Sequence, residues 1–235
     1  MPAGRDGQDE LVSSGGEEAT VSSRPTVRGL RRVDLLTSDL VAAAVFYREL
    51  LDWSAAVTRA GIDCWVGERR CATIRSPRAG EPAGWRLVFA GAAHDGTLTG
   101  PDDTTALMAR GRAQHGPWAP GPRPGEPCWV ELRTSDPNRA DAFWADILNW
   151  TVRTEQPGVD YVVGDRPLAS RTEGQPTGWL CYFAVEDVTD AADRVARLGG
   201  TLAERIDHPL LGDALLVRDP SDALVGLTTA TSWGG

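Results

Sequence analysis

The sequence predicts an α+β protein built from tandem βαβββ units, and two observations support this fold class. First, most of the stretch Val130–Arg171 repeats the stretch Val33–Ile74 at an offset of 97 residues without a gap. Second, each copy changes from strand periodicity to helix periodicity and back to strand periodicity. A gapless repeat of this length indicates a duplicated supersecondary unit, and its period is too long for a solenoid. The sequence therefore predicts a pair of similar domains.

The second copy shows how each element of the unit is encoded. Residues 129–134 alternate in type, which predicts a strand with Val130, Leu132 and Thr134 on one face. Asp136 is suited to cap a helix, and Pro137 is suited to its first turn. Apolar residues then recur at helical spacing, and three β-type runs separated by Gly-containing turns follow. The helical positions are Ala140, Phe143, Trp144, Ile147 and Leu148, and the runs are 150–154, 159–163 and 167–171.

The first copy carries the same signals at equivalent positions. Asp39 aligns with Asp136, so both are predicted to be helix caps. The aromatic pairs Phe46-Tyr47 and Phe143-Trp144 also align, and their helical spacing predicts that they pack the helix on the sheet.

A further strand is predicted at residues 84–90, and it matches residues 178–184 at an offset of 94. The second copy then continues with a helix capped by Asp187 or Thr189 and with strands at 201–206, 214–217 and 223–228. The first copy has only a Gly/Pro-rich loop and one weak helix at 103–112. The first domain is therefore predicted to lack its final two strands.

Composition divides the chain into four parts. Residues 1–26 are rich in Gly, Ser and Glu without periodicity, which predicts a disordered tail. Residues 27–115 form the truncated first domain, and the Pro/Gly-rich residues 116–127 form a linker. Residues 128–231 form the complete second domain.

Bulk properties exclude some classes of partner. The 235 residues are 41% hydrophobic, which supports a packed core, and the net charge of −9 argues against a nucleic-acid or anionic-membrane partner. No apolar run approaches the ~20 residues of a membrane span, and no signal-peptide core is present.

The four cysteines lack metal-type spacing, so we expect reduced thiols in a cytoplasmic monomer or homodimer, with Cys71 and Cys181 as small buried residues.

The repeated units resemble the vicinal oxygen chelate superfamily, which includes glyoxalase I, extradiol dioxygenases and bleomycin-binding proteins. The resemblance rests on residues 33–53, residues 130–150, and residues 179–200 with the Asp219-Pro220 ending. It covers most of residues 28–230, apart from about 92–127, and is nearest to the two-domain actinobacterial type. It implies that each domain curls into a cup whose concave face holds the ligand.

The resemblance also implies where a metal would bind. Metal-dependent members place His or Gln near the start of each unit's first strand and Glu on a closing strand. The corresponding positions here hold Arg32, Trp129, Leu180 and Gly226, none of which is an ordinary metal ligand. We therefore expect no metal site, and the sequence has no glycine-rich cofactor motif, so no cofactor is predicted.

Strand alternation predicts which side chains face the second cup. If Val130 and Leu132 pack against the helix, then Trp129, Glu131 and Arg133 face the cup. A carboxylate in a partly apolar cup is expected to have a raised pKa and to act as a general acid or base. The predicted catalytic residues are Glu131, Arg133, Tyr182 and His208, and the predicted ligand-binding residues are Trp129, Leu180, Trp179 and Arg171.

Each of these assignments has a simpler alternative. Glu131 and Arg133 are equally well explained as a solvated surface pair, and the alternative to a pocket-lining role for Trp129 and Tyr182 is that they fill the core. His208, in a predicted loop, is a candidate proton shuttle or an exposed histidine. Asp34, which faces the first cup, is a weaker candidate.

Three functions remain open. The first is a metal-independent enzyme that cyclises, dehydrates or isomerises an aromatic or polyketide-like molecule, as in secondary metabolism. The second is a resistance protein that sequesters a drug or metabolite without changing it. The third, a metal-dependent dioxygenase or glyoxalase, is disfavoured by the missing ligands.

Overall fold

The computed structural model describes residues 28–229 and Trp233, so the predicted tail at 1–26 lies outside the described residues. The first domain opens with a complete βαβββ unit and continues with three further strands. Its elements are β1 (Leu30–Leu36), α1 (Leu40–Leu51), β2 (Ser54–Thr58), β3 (Gly61–Val66), β4 (Arg69–Arg75), β5 (Gly84–Phe89), β6 (Gly96–Thr99) and β7 (Thr105–Met108).

The second domain contains two complete βαβββ units. Its elements are β8 (Pro127–Thr134), α2 (Pro137–Leu148), β9 (Thr151–Gln156), β10 (Val159–Val163), β11 (Arg166–Glu173), β12 (Gly178–Ala184), α3 (Val188–Arg197), β13 (Thr201–His208), β14 (Gly212–Arg218) and β15 (Leu224–Thr228). The predicted α+β class and the tandem βαβββ units are confirmed.

Each domain forms one open mixed sheet. The first sheet has the strand order β2-β3-β4-β1-β5-β7-β6, and the second has the order β13-β14-β15-β12-β8-β11-β10-β9. In both sheets the opening strand pairs in parallel with the last strand of its own unit and antiparallel with the opening strand of the next unit. The two sheets are therefore related by the internal repeat.

The truncation of the first domain differs in detail from the prediction. Residues 103–112 do not form a helix, because β7 occupies Thr105–Met108. Strand β7 pairs in parallel with β5, just as β15 pairs in parallel with β12. Within the described residues, the first domain thus lacks one strand and the helix of its second unit, rather than its final two strands.

Aspartates cap the N-termini of the three α-helices in the described part of the chain, as the capping pattern predicts. The side chains of Asp39 and Asp136 accept hydrogen bonds from the backbone N–H groups of Ala42 and Arg139. Asp187 accepts from two backbone N–H groups of α3. These bonds satisfy N–H groups that have no partner inside the helix.

Aromatic side chains fill the space between the two sheets. Phe89 of β5 contacts Trp179 of β12, with ring centroids 5.7 Å apart. Trp85 contacts Phe183 on the same two strands, also at 5.7 Å. One face of each sheet therefore packs toward the other domain, and the opposite face forms the concave side. All four cysteines are buried and unpaired, in agreement with their predicted role.

The predicted linker at 116–127 is packed against both domains. Trp53 of the first domain donates a hydrogen bond to the carbonyl of Gly125, and the N–H of Gly125 donates to the carbonyl of Ala184 in the second domain. The carboxylate of Glu126 is fully buried and lies 2.8 Å from the guanidinium of Arg69. In the part of the chain that the structure describes, no helix is long and apolar enough to cross a bilayer.

Candidate functional site

The four predicted catalytic residues meet in the second cup. Glu131 accepts hydrogen bonds from the Nε of Arg133 at 2.9 Å and from the hydroxyl of Tyr182 at 3.2 Å. The Nε2 of His208 lies 3.5 Å from the same carboxylate oxygen that Tyr182 contacts. The strand alternation in the sequence therefore identified a real side-chain cluster.

His208 is not the exposed loop residue that its neighbours Asp207 and Pro209 suggest. It ends β13 and is 5% exposed. Its Nδ1 accepts hydrogen bonds from the backbone N–H groups of Leu210 and Leu211, each at 3.1 Å. Because Nδ1 is an acceptor, the proton of a neutral ring lies on Nε2 and points toward Glu131 and Ser170.

The expected raised pKa of Glu131 is wrong. Burial raises the pKa of this carboxyl, but hydrogen bonds from His208 and Arg133, together with the charge of Arg133, outweigh burial and hold it below its ordinary value. A carboxylate stabilised in this way is a weaker base than an ordinary glutamate. The cluster is therefore better suited to holding the cup together than to proton transfer.

Protein side chains fill the second cup. Trp129, Leu180 and Tyr182 are at most 3% exposed, and the ring of Trp233 packs against Trp129. A Cβ at Gly226 would lie 2.2 Å from the Tyr182 ring, so glycine at this position makes room for the tyrosine. Of the two alternatives for Trp129 and Tyr182, the structure favours the core over the wall of an open pocket.

Two of the predicted ligand-binding residues lie on the other face of the sheet. Trp179 packs against Trp144 of α2, with ring centroids 5.2 Å apart, and belongs to the interdomain core. Arg171 forms ion pairs with Asp141 of α2 and with Asp160. Their assignment to the cup is wrong, because strand alternation places both with Leu132 on the helix-facing side.

The positions where the superfamily resemblance implies a metal do not fit one. The indole N–H of Trp129 donates to Ser170, and the Tyr182 ring occupies the space beside Gly226. Leu180 has no ligand atom, and Arg32 of the first domain is a cation. Among the described residues, no group of three or more His, Cys, Asp or Glu side chains is arranged to hold a metal ion.

The first cup is open and contains a cavity of about 500 Å³. Its lining combines an excess of cationic side chains with a few carboxylates and a small apolar patch. The lining includes six arginines, Arg31, Arg32, Arg70, Arg75, Arg78 and Arg110, three aspartates, Asp34, Asp63 and Asp95, and the apolar residues Val88 and Leu107. A protein of net charge −9 thus has a locally positive cavity.

Asp34 lies on the floor of this cavity and is 3% exposed. It accepts hydrogen bonds from the Nε and Nη2 atoms of Arg32 at 2.7 and 3.3 Å, and the Nε of Arg75 is 3.8 Å away. Burial raises the pKa of the Asp34 carboxyl, and the opposing charges of Arg32, Arg75 and Arg70 do not reverse the effect. Asp34 is therefore a stronger base than an ordinary aspartate.

A second carboxylate lies two strands away at the same level of the sheet. In register, Asp34 is opposite Thr73, and Thr73 is opposite Asp63. The hydroxyl of Thr73 donates to Asp63 at 2.8 Å, and Arg70 donates to the other oxygen of Asp63 at 2.9 Å. Asp63, Thr73 and Asp34 thus form a polar row across the floor of the cup, bounded by arginines.

Neighbouring arginines of the cavity also affect Arg31. Burial lowers the pKa of Arg31, and the charges of Arg32 and Arg70 lower it further. Sequence reasoning gave this cup little weight because the first domain is truncated. The available signal was the repeat itself, which aligns Arg32 and Asp34 with Trp129 and Glu131, together with the arginines at 69, 70, 75 and 78.

Comparison with protein families identifies the second domain. Residues 129–228 match the model of the glyoxalase-like domain. CFP32, a candidate glyoxylase of Mycobacterium bovis, is 30% identical over 122 residues, which cover 46% of this chain and 47% of CFP32. CFP32 of Mycobacterium tuberculosis gives the same values. The match spans about half the length of these curated relatives.

Solved structures of extradiol dioxygenases share the fold of the whole chain. A variant of homoprotocatechuate 2,3-dioxygenase from Brevibacterium fuscum superposes with a TM-score of 0.60 at 12% identity, over 90% of this chain and 74% of the dioxygenase. The homoprotocatechuate 2,3-dioxygenase from Arthrobacter globiformis superposes with a TM-score of 0.60 at 12% identity, over 88% of this chain and 80% of the dioxygenase. BphC, a halotolerant catechol dioxygenase, superposes with a TM-score of 0.59 at 13% identity, over 87% of both chains.

Two mixed sheets built from repeated βαβββ units, each with a concave face, define the vicinal oxygen chelate fold. The described residues thus have the fold of this superfamily, and the second domain matches its glyoxalase-like family model.

Proposed function

We propose that this protein binds a small organic anion in the first cup and transforms it by metal-independent acid/base chemistry, with Asp34 as the proton-transferring group. The observation that carries this proposal is a buried carboxylate of raised pKa on the floor of an arginine-lined cavity. Perturbed carboxylates in clefts are frequent at functional sites.

The charge of the cavity supports an anionic ligand. Six arginines line it against three aspartates, and guanidinium groups bind carboxylates with paired hydrogen bonds. The volume of about 500 Å³ lies in the range of small-molecule sites. None of the described residues that line the cavity is aromatic. The proposed organic anions include flat polyketide-like acids, because the guanidinium planes of the arginines can stack on flat π-systems.

The proposed chemistry requires only groups that belong to the chain. Asp34 accepts a proton from a carbon next to a carbonyl group and returns it at another atom, which covers isomerisation, dehydration and cyclisation. Arg32 holds the carboxylate in one orientation through its two hydrogen bonds. Arg70 and Arg75 stabilise the negative charge that develops on the ligand oxygen.

Binding is tested first, because it is independent of turnover. Calorimetry of the purified chain with small aliphatic and aromatic carboxylic acids, each matched with its methyl ester, is expected to show binding of acids and not of esters. Arg70→Gln is expected to weaken binding about tenfold, the value of one charge-assisted hydrogen bond. Arg153→Gln, at the surface of the second domain, is the matched control and leaves binding unchanged. Equal affinity of acids and esters contradicts the proposal.

Turnover is tested with Asp34→Asn. Mass analysis of the recovered ligand is expected to show conversion by the wild type and none by the variant, while the variant still binds. A ligand recovered unchanged from the wild type would instead assign a sequestering protein. The Asp34–Arg32 pair is equally compatible with that second function, because it can orient a bound anion whether or not a proton is transferred.

A further inference from the structure

We propose that the outer edge of β2 pairs in antiparallel orientation with the same edge of a second copy of this chain, and that the protein forms a dimer in this way. The inference does not depend on the proposed function of the first cup. It rests on the composition of β2, on the regular pairing that leaves its outer edge free, and on the charges at the two ends of the strand.

Strand β2 lies at the edge of the first sheet and pairs with β3 without any shift of register. Its five residues, Ser54–Thr58, include no charged residue and no proline, and all of them are exposed. Val57 is 85% exposed, more than any other large hydrophobic residue that the structure describes. An edge strand of this kind pairs readily with another strand, because its outward N–H and C=O groups have no partner within the sheet.

The other three edge strands are less suited to pairing. Strand β9 occupies the place of β2 in the repeat, and Arg153 and Glu155 replace Ala56 and Thr58 there. Strand β13 contains three charged residues, and both β9 and β13 have an irregular register with their neighbours. Strand β6 has only four residues, and Gly100, which follows it, packs against α2. Charges, irregular register and short length are means by which proteins prevent edge pairing, and β2 lacks the first two.

The pairing of β2 with β3 determines which backbone groups face the free edge. A two-residue turn at 59–60 joins the strands, so Thr58 and Gly61, which flank the turn, form a hydrogen-bonded pair. Hydrogen-bonded and non-hydrogen-bonded pairs alternate along an antiparallel ladder. The backbone N–H and C=O groups of Ala55 and Val57 therefore point away from β3, toward the free edge.

Two-fold symmetry and these outward groups favour one register. In it, Ala56 lies opposite Ala56 of the second copy, and Ala55 of each chain forms a hydrogen-bonded pair with Val57 of the other. This register uses the whole length of β2 and joins two seven-stranded sheets into one continuous sheet. It also covers part of the exposed Val57 side chain.

The two ends of β2 carry opposite charges that suit antiparallel pairing. Asp52 precedes the strand and Arg59 follows it, and both are exposed. Among the described residues, neither side chain has an ion-pair partner. In the proposed register, Arg59 of each copy comes close to Asp52 of the other, whereas a parallel arrangement would bring like charges together. The edge is thus complementary to itself, which favours a second copy of the chain over a foreign strand.

Sedimentation of the purified chain from about 1 µM to about 1 mM tests the dimer, because a contact of this size is expected to be weak. Ala56→Lys places two lysines opposite each other and is expected to weaken the dimer about tenfold or more. Thr154→Lys, on the edge strand β9, is the matched control and leaves dimerisation unchanged. A wild type that stays monomeric over this range, or a dimer that Ala56→Lys does not weaken, would overturn the proposal.

A disulfide tests the register. The Cα atoms of a non-hydrogen-bonded antiparallel pair are about 4.5 Å apart, a distance that a disulfide can span. Mild oxidation of Ala56→Cys is therefore expected to give a covalent dimer, while Thr154→Cys remains monomeric. The native cysteines are buried and do not interfere. Equal crosslinking of both variants would indicate random collision and contradict the proposed register.

A charge exchange tests the orientation of the two strands. Arg59→Asp and Asp52→Arg are each expected to weaken the dimer, because each variant places like charges near one another across the interface. The double variant is expected to dimerise as the wild type does, since it restores opposite charges with their positions exchanged. A double variant that dimerises no better than either single variant would contradict the antiparallel pairing.

Discussion

Asp34 and Glu131 occupy equivalent positions in the repeat, 97 residues apart, and their carboxyl groups have opposite properties. Burial dominates at Asp34 and raises its pKa. At Glu131, burial is outweighed by hydrogen bonds from His208 and Arg133, and the pKa is lowered. The local partners of each carboxylate, and not its place in the fold, thus decide whether the group is suited to proton transfer or to structural support.

The lowered pKa of Glu131 predicts how stability depends on pH. Because the folded-state pKa lies below the unfolded value, the stabilising contribution of Glu131 is present above the unfolded pKa and is lost as pH falls through the folded pKa. Glu131→Gln is therefore expected to lose about 3 kcal/mol of stability at neutral pH, the cost of breaking a buried pair, and progressively less in acid. Urea unfolding at a series of pH values measures this difference.

Asp34→Asn is the control for this prediction, because the pKa of Asp34 is shifted in the opposite direction from that of Glu131. The folded-state pKa of Asp34 is raised, so its contribution is present below the unfolded pKa and is lost as pH rises through the folded pKa. The stability of the wild type relative to Asp34→Asn is expected to fall as pH rises. If the difference in stability between the wild type and the variant changed with pH in the same direction for both variants, the pKa values of Glu131 and Asp34 could not be shifted in opposite directions.

At the scale of elements, α1 connects the two domains. Tyr47 on α1 donates a hydrogen bond to Asp219, in the turn between β14 and β15, at 3.0 Å, and accepts one from Trp85 at 3.2 Å. Asp219 is itself held by the backbone N–H groups of Ser221 and Ala223. A helix of the first domain is thus joined to a turn of the second through a fully buried hydroxyl.

Tyr47→Phe is expected to destabilise the chain by about 1–3 kcal/mol, because it leaves buried hydrogen-bonding groups without a partner. Tyr161→Phe is the matched control, since the Tyr161 hydroxyl donates to Asp141 within the second domain. Urea unfolding followed by tryptophan fluorescence should show a reduced m-value for Tyr47→Phe alone, because only this variant weakens the connection between domains. An equally reduced m-value for both variants would argue against that connection.

At the scale of the whole molecule, the two domains share one core. One cluster of buried hydrophobic residues includes Leu30 in the first domain and Leu227 in the second, together with the aromatic layer between the sheets. Such an interface is unlike the small polar contacts between mobile domains. The faces of the two sheets that carry these aromatic residues are consequently packed toward each other.

This shared core predicts cooperative unfolding of the full chain. Differential scanning calorimetry is expected to give one transition whose calorimetric enthalpy equals the van't Hoff enthalpy. An anionic ligand of the first cup should raise the temperature of that single transition as a whole. Two separate transitions, with the ligand acting on only one of them, would show that the domains unfold independently.

Much of the fold follows from local signals in the sequence. The repeat, the capping aspartates and the 3.6- and two-residue periodicities predict the β-strands and helices of residues 127–228 almost completely. The prediction was wrong at residues 103–112, where a short strand pairs with β5. A strand of four residues carries too little periodicity to be distinguished from a weak helix, and its pairing partner lies elsewhere in the chain.

The sequence by itself determines the superfamily fold, the direction in which Glu131 and Asp34 point, and the replacement of the implied metal ligands. Only the tertiary structure decides which cup is open. Tyr182 beside Gly226 and Trp233 on Trp129 fill the second cup, whereas arginines line a cavity in the first. The reason is physical: alternation along a strand depends on neighbouring residues, while the volume left in a cup depends on contacts between residues that are far apart in the chain.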